Sequence, residues 1–333
     1  MVKVQPSQKL RDAIMKDRKD LKEISLNSYI TSLRSLYKTL NPDTFMDTQL
    51  STDFLKDDKV EIMKHLKTRK ITSSKNVLTA IIVGLSSDTK KDDKLLEYYQ
   101  EQLKKLSGTY NKFLETQSRT PTQTKNWISF DEFIEVINKL LAEVKEEGIN
   151  KKEKLTRSEF NVLQRYTILS FYQVFPMRND VANMRVISKT DYDKLEEKER
   201  LDNNYFVKDN KKYIIKLNQF KNVKRIGPKS FDVPEKLGKI VKLWLKHNTS
   251  GFLFTMNNMR DPLSPNGITK LLNSIFKKYA DGKSIGSSML RHISISEKMK
   301  NEPSIAEKKE ESKEIEDKFM HSSSMHERYR KVD

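Results

Sequence analysis

Apolar side chains recur every three or four residues through much of this chain. In SLNSYITSLRSLYKTLNP, Tyr29, Ile30, Leu33, Leu36, Tyr37 and Leu40 fall on one face of a helix. DKVEIMKHLKTRK and SKNVLTAIIVGL repeat the pattern, and DKLLEYYQEQLKKLSGTYNKFLE extends it into a longer amphipathic helix. Helices joined by short breaks predict a compact helical bundle over residues 1–117. The next stretch, within TQSRTPTQTKNW, is polar, carries Pro121 and loses the periodicity, so residues 118–127 are read as a linker.

Residues 128–333 form a second domain. It opens with SFDEFIEVINKLLAEVKEEG, where Ser129 and Glu132 make a capping-box pattern and Gly148 suits the helix end. A second box, Thr156 with Glu159, precedes the apolar helix FNVLQRYTILSFYQVF. After PMRNDVANM the period changes. NYFVKDNKKYIIKLNQFKNVKRIGPKSFDVP alternates, is rich in Tyr, Val, Ile and Phe, and is punctuated at Asp209-Asn210 and Gly227-Pro228. This predicts an antiparallel sheet of two or three strands. Helices resume at EKLGKIVKLWLKH, SPNGITKLLNSIFKKYA and SSMLRHISISEKMK. The charged segment 303–319 is expected to be a helix starting at Ser304 with Glu307 as its box partner. The fold class is therefore mainly α with a small antiparallel β-sheet (α+β), with no internal repeat.

Charge changes the picture from a fold to a partner. The net charge is +18, and both halves contribute: residues 1–118 hold 22 Lys and Arg against 16 Asp and Glu, the remainder 42 against 30. A positive field over the whole surface favours a polyanion such as nucleic acid, although a general lysine bias produces the same number. With 333 residues the chain is long for one core and comfortable for two. It has no cysteine, which excludes disulfides and thiolate metal sites. No apolar run is long enough to span a bilayer, and the N-terminus has no signal-peptide core, so a soluble, intracellular protein is expected.

Glycine-rich phosphate loops and the usual zinc spacings are absent. His321 and His326 lie five apart near the end of the chain with no third ligand at metal-site spacing, and do not make a metal site by themselves. Two arginines stand out. Arg178 ends an apolar helix, and Arg291 lies in SSMLRHISIS between Leu290 and Ile293. A half-buried arginine needs an anionic partner. For either alone, an ion pair with a carboxylate such as Asp180 suffices. For the two together in a basic domain, a phosphodiester is the alternative, because guanidinium forks match its two non-bridging oxygens. Lys221 and Lys224 fall in the strand region, where a lysine is ordinarily a solvated surface residue. Tyr329, near the C-terminus, is ordinarily a packing residue.

In chain order these pieces resemble the tyrosine recombinases, the phage-integrase family, over nearly the whole chain. FPMR, with Arg178, stands where that family has an arginine after an apolar helix. Lys221, in FKNVKR, matches its hairpin lysine, and Lys224 and Arg225 beside it are candidate DNA contacts. SMLRH supplies Ser288, Arg291 and His292 against the family's H-x-L-R-H box. MHSSSMHERY supplies His321 and Tyr329, eight residues apart. GFLFTMNNMRDPLSPNGITKLLNSIFKKY resembles the stretch before the H-x-L-R-H box, and the N-terminal bundle resembles the family's core-binding, SAM-like domain. In style the chain is similar to integrases of protist viruses and related mobile elements. Three departures stand out. Ser288 replaces the first histidine of its box. Met320 replaces a glycine, with Tyr329 one residue closer than usual. Only RKVD follows Tyr329, where the family often has a helix that docks on a neighbouring subunit, so either assembly uses another element or the chain is trimmed.

The resemblance implies a site-specific recombinase that needs no metal and no cofactor. Tyr329 is the implied nucleophile, giving a 3′-phosphotyrosyl intermediate. Arg178, Arg291 and His321 hold the phosphate, His292 accepts the tyrosine proton, and Lys221 protonates the leaving 5′-oxygen. Its partner is double-stranded DNA, bound by a homo-oligomer (a tetramer) on paired sites, in the nucleus or cytoplasm of a host cell or in a viral factory. The alternatives are a type IB topoisomerase, which relaxes DNA as a monomer, and a decayed integrase-fold protein that binds DNA without cutting it.

Overall fold

The computed structural model describes residues 7–43, 50–89, 92–115, 118–300 and Lys318. The chain divides into two compact units, Met1–Thr116 and Gln117–Asp333.

The first unit is helical in its described residues: α1 (Gln8–Asp17), α2 (Glu23–Leu40), α3 (Phe54–Asp57), α4 (Lys59–Lys67), α5 (Ile71–Ser86) and α6 (Asp93–Glu115). α5 is apolar over its C-terminal half. Val77, Leu78, Ala80, Ile81, Val83 and Leu85 are all buried, and α2 and α6 both pack on it. A stretch buried on so many sides belongs at the centre of a bundle. α2 offers it Leu26, Ile30, Leu33 and Leu36. The two helices come close at Gly84, where an added Cβ would stand 3.3 Å from Leu33 Cδ1.

The second unit begins with α7 (Pro121–Asn126), inside the stretch read as a linker. Thr120 and Gln123 form a reciprocal capping box, and Pro121 occupies the first helical position, where its missing N–H costs nothing. The guanidinium of Arg119 lies 3.9 Å from the ring centre of Trp127. Next come α8 (Phe130–Glu146) and α9 (Arg157–Val174). Both are capped as their sequences predict, with Ser129 against Glu132 and Thr156 against Glu159. Gly148 follows α8 with φ of 60°, a left-handed conformation that suits glycine.

α9 is the hub of this unit. Phe160, Leu163, Ile168, Leu169, Phe171 and Tyr172 are buried, and α8, α13 (Glu235–His247), α14 (Pro265–Tyr279) and α15 (Ser287–Lys298) pack around it. Three of its buried polar side chains are satisfied: Thr167 and Ser170 donate back to the Leu163 and Tyr166 carbonyls, and Gln164 Oε1 accepts from Thr255 N at 2.8 Å. Trp244 of α13 is fully buried against Phe160, and its indole N–H donates to Leu253 O at 2.7 Å. An aromatic of that size contributes on the order of 3–5 kcal/mol relative to alanine.

The sheet runs in the order β1 (Arg185–Ser188), β2 (Tyr205–Asp209), β3 (Lys212–Leu217), β4 (Lys229–Asp232). β2, β3 and β4 pair antiparallel, joined first by a two-residue turn in which Asn210 has φ of 51°. β1 corrects the expectation of a purely antiparallel sheet of two or three strands. It pairs parallel to β2, and the crossover holds two short helices, α10 (Lys189–Lys194) and α11 (Glu197–Asp202).

A second correction concerns the lysines. β3 ends at Leu217, and the connection to β4 contains a helical turn, α12 (Val223–Ile226). Val223 and Ile226 pack on the core, leaving Lys224 and Arg225 exposed. Lys221 is exposed in the turn before α12. Neither lysine is in a strand. The helix expected over 303–319 lies outside the described residues apart from Lys318. Among the described residues no helix is long and apolar enough to cross a membrane.

Candidate active site

α9 ends at Val174, and the chain turns through Phe175, Pro176 and Met177, all buried. That apolar plug pins the turn and leaves the next residue, Arg178, half-buried at the start of a short 3-10 helix, Asn179–Val181. Asn179 fixes this helix to α14: its Nδ2 donates to Pro265 O at 2.6 Å and to Thr269 Oγ1 at 2.8 Å. Its Oδ1 accepts from the Tyr172 hydroxyl at 3.4 Å.

α15 enters the same region from the other side. Arg291 is 5 % exposed although charged. The turn before it carries Ser287, which is buried, and Ser288, which is exposed. Ser287 lies beside the Tyr172 hydroxyl of α9 and lowers its pKa, so polar groups of α9 and α15 meet where the two helices pack. His292 is half-buried next to Arg291.

Asp180 lies in the field of both arginines. Burial raises its carboxyl pKa above the ordinary value of 3.8, and the charges of Arg178 and Arg291 oppose that rise. Its Oδ2 is buried and has no hydrogen bond among the described residues. Burial also pushes the Tyr172 phenol far up, so this tyrosine stays neutral; Arg291 pulls its pKa down and Asp180 pushes it up. Tyr172, Asp180, Arg178, Arg291 and Ser287 therefore form one polar cluster where α9, the 3-10 turn and α15 meet.

The structure thus brings Arg178 and Arg291, 113 residues apart in the chain, to act on one carboxylate. A cluster of two guanidinium groups and a single acid holds excess positive charge and suits a further anion. Ser288 and His292 stand on the same helix as Arg291, one turn before it and adjacent to it. Lys221, Lys224 and Arg225 belong to the exposed β3–β4 connection. His321 and Tyr329 lie outside the described residues. The sequence points to Asp180 only as an ion-pair partner and does not single out Tyr172, Asn179 or Ser287. The only available signal is their position, beside an arginine or on the buried face of an apolar helix. Among the described residues, no group of three or more His, Asp or Glu side chains is placed to hold a metal ion.

No family model matches this chain, and no curated protein matches it. Among solved structures, a crystal structure of XerA recombinase is similar at 14% sequence identity, with a TM-score of 0.41 over 98% of this chain and 94% of that chain.

Proposed function

We propose that this chain is a DNA strand transesterase of the tyrosine-recombinase type. The observation that carries the reading is that Arg178 and Arg291, far apart in the chain, both act electrostatically on the buried Asp180 carboxyl, so that two guanidinium groups share one cluster with a single acid in a strongly basic protein. A scissile phosphodiester is the anion that fits two guanidinium groups.

In this reading the Tyr329 oxygen attacks the phosphorus, forming a 3′-phosphotyrosyl bond as the bond to the 5′-oxygen breaks. A free phenol has a pKa of about 10 and must lose its proton as it attacks; His292 accepts it. Arg178, Arg291 and His321 stabilise the added negative charge of the phosphorane, on the order of 3 kcal/mol per donor. Ser288, in the first turn of α15, is a weaker donor to the same phosphate. Lys221 gives its proton to the departing 5′-oxygen, and Lys224 and Arg225 contact the flanking backbone. The bond energy is retained in the phosphotyrosine, so a 5′-hydroxyl of a second duplex reverses the step and completes strand exchange. That activity suits the integration or resolution of a viral or mobile element by several copies of the chain on paired sites, acting on host-cell DNA.

A second reading, a DNA-binding protein that does not cut, is favoured by one observation: the buried Asp180 carboxyl lies in the field of both arginines. Incubation with nicked duplexes drawn from the DNA flanking its own gene separates the two. A protein–DNA adduct that survives denaturant supports the transesterase, and tight binding with no adduct supports the second reading. Relaxation of any supercoiled circle, without a site requirement, would point to a topoisomerase instead.

A further inference from the structure

Asn204 is 8 % exposed and immediately precedes β2. Its side-chain amide makes four hydrogen bonds. Nδ2 donates to Asp180 O at 2.9 Å and to Gln219 O at 2.8 Å. Oδ1 accepts from Asn218 N at 2.9 Å and from Gln219 N at 2.8 Å. Two donors and two lone pairs are the whole capacity of the group. One end of this network is the turn that carries Arg178 and Asp180. The other is the segment leaving β3, two residues before Lys221.

That segment is held a second time. Asn218 Nδ2 donates to Arg200 O at 2.6 Å and Asn203 O at 3.0 Å, and Gln219 Nε2 donates to Leu201 O at 2.6 Å. Beyond Gln219 the chain is anchored by Phe220, 8 % exposed, and then by Val223 and Ile226 on the core. Lys221 lies between these anchors. Its backbone is thereby referred to the Arg178 turn through a single buried amide.

We propose that Asn204 is a positioning residue that sets the placement of Lys221 relative to Arg178. The role of Lys221 rests on the strand-transfer reading; the tether itself does not. A general acid acts only within hydrogen-bond reach of the leaving oxygen, about 2.6–3.2 Å. A displacement of about 1 Å costs on the order of 10²-fold in rate. Lys221 is exposed on a long side chain, so the placement of its backbone decides what its ammonium can reach.

Two variants test the role. Asn204→Asp keeps an acceptor for the Asn218 and Gln219 amides but removes the donors to Asp180 and Gln219. Asn204→Ala removes all four bonds. Thermal unfolding shows which of them folds, and hydrogen exchange is measured on the amides of residues 218–226. Faster exchange there, with α9 unchanged, is expected of the tether; unchanged exchange overturns it. Cleavage is then read on two nicked duplexes, one ordinary and one with sulfur at the 5′-bridging position, a leaving group that needs no proton. Each folded variant should lose about 10²-fold on the ordinary duplex and recover most of it on the sulfur duplex, as Lys221→Ala should. Equal loss on both duplexes, or no loss, overturns the positioning role. A wild-type protein that cleaves neither duplex overturns the strand-transfer reading, and with it the role but not the tether.

Discussion

The guanidinium of Arg291, buried on α15, acts on the carboxylate of Asp180, which also lies within the field of Arg178 on its own turn. Burial wins over both positive charges and holds the Asp180 pKa above 3.8. The folded protein therefore binds this proton more tightly than the unfolded chain. Stability from protonation is fully present below the unfolded value and is lost as pH rises through the folded one. Asp180→Asn makes the side chain permanently uncharged at nearly constant size. The Tm of this variant relative to wild type should be highest near neutral pH and fall as the pH drops toward 3.8. A difference that grows in acid would mean that the arginines, and not burial, dominate this carboxyl.

The arginines themselves should separate chemistry from binding. Arg178→Ala and Arg291→Ala are expected to slow cleavage by at least about 10²-fold, the scale of losing one preorganised donor. DNA affinity, spread over many phosphate contacts, should change far less. Arg→Lys at either position should rescue poorly, because an ammonium lacks the planar fork. Parallel loss of affinity and cleavage, measured by titration and single-turnover kinetics, would assign the pair a structural role around Asp180.

Much of this architecture is legible in the sequence, for identifiable reasons. Ser129 with Glu132 and Thr156 with Glu159 are local signals, complete within four residues, and both caps form. The periodicity of Leu33 and its neighbours is equally local. β1 is not legible: four residues, Arg185–Ser188, carry no alternation, and their partner arrives after a crossover. α12 reads as strand because Val and Ile favour strands, while the spacing of Phe220, Val223 and Ile226 is three, and it is the spacing that packs on the core. Asn204 is illegible for a further reason. Its partners lie 24, 15 and 14 residues away, and an asparagine before a strand looks like a turn.

The placement of Lys221 and Lys224 changes how they are told apart. Lys221 stands in the turn and Lys224 in α12, so neither is placed by a strand. The distinction rests instead on anchoring: Lys221 is two residues from the Asn204 tether, whereas Lys224 is exposed on α12. Lys224→Ala should give a modest binding defect, largest at low salt and shrinking as salt is added, because one phosphate contact is lost. Lys221→Ala should give a cleavage defect, on the order of 10²-fold or more, that a 5′-bridging sulfur repairs. Repair seen only with Lys224→Ala would reverse the assignment.

Tyr279 is the next tyrosine upstream of Tyr329, and its surroundings argue against service as a nucleophile. Its hydroxyl donates to Glu143 Oε2 at 2.7 Å and accepts from Lys278 Nζ at 2.6 Å, and burial raises its pKa. Tyr279→Phe should leave cleavage nearly unchanged and lower stability by about 1 kcal/mol, the usual value of a lost hydrogen bond. Denaturant titration and adduct formation measure the two effects independently.

Tyr329 as the residue that bonds covalently to DNA is tested most directly by comparing wild type with Tyr329→Phe on a nicked duplex whose cleaved end diffuses away. The variant keeps the aromatic ring and loses only the attacking oxygen, so affinity for the duplex should be nearly unchanged. Wild type should accumulate a denaturant-stable adduct, with the DNA mapped by mass spectrometry to Tyr329, and the variant should form none. An adduct of undiminished yield from Tyr329→Phe would contradict the account.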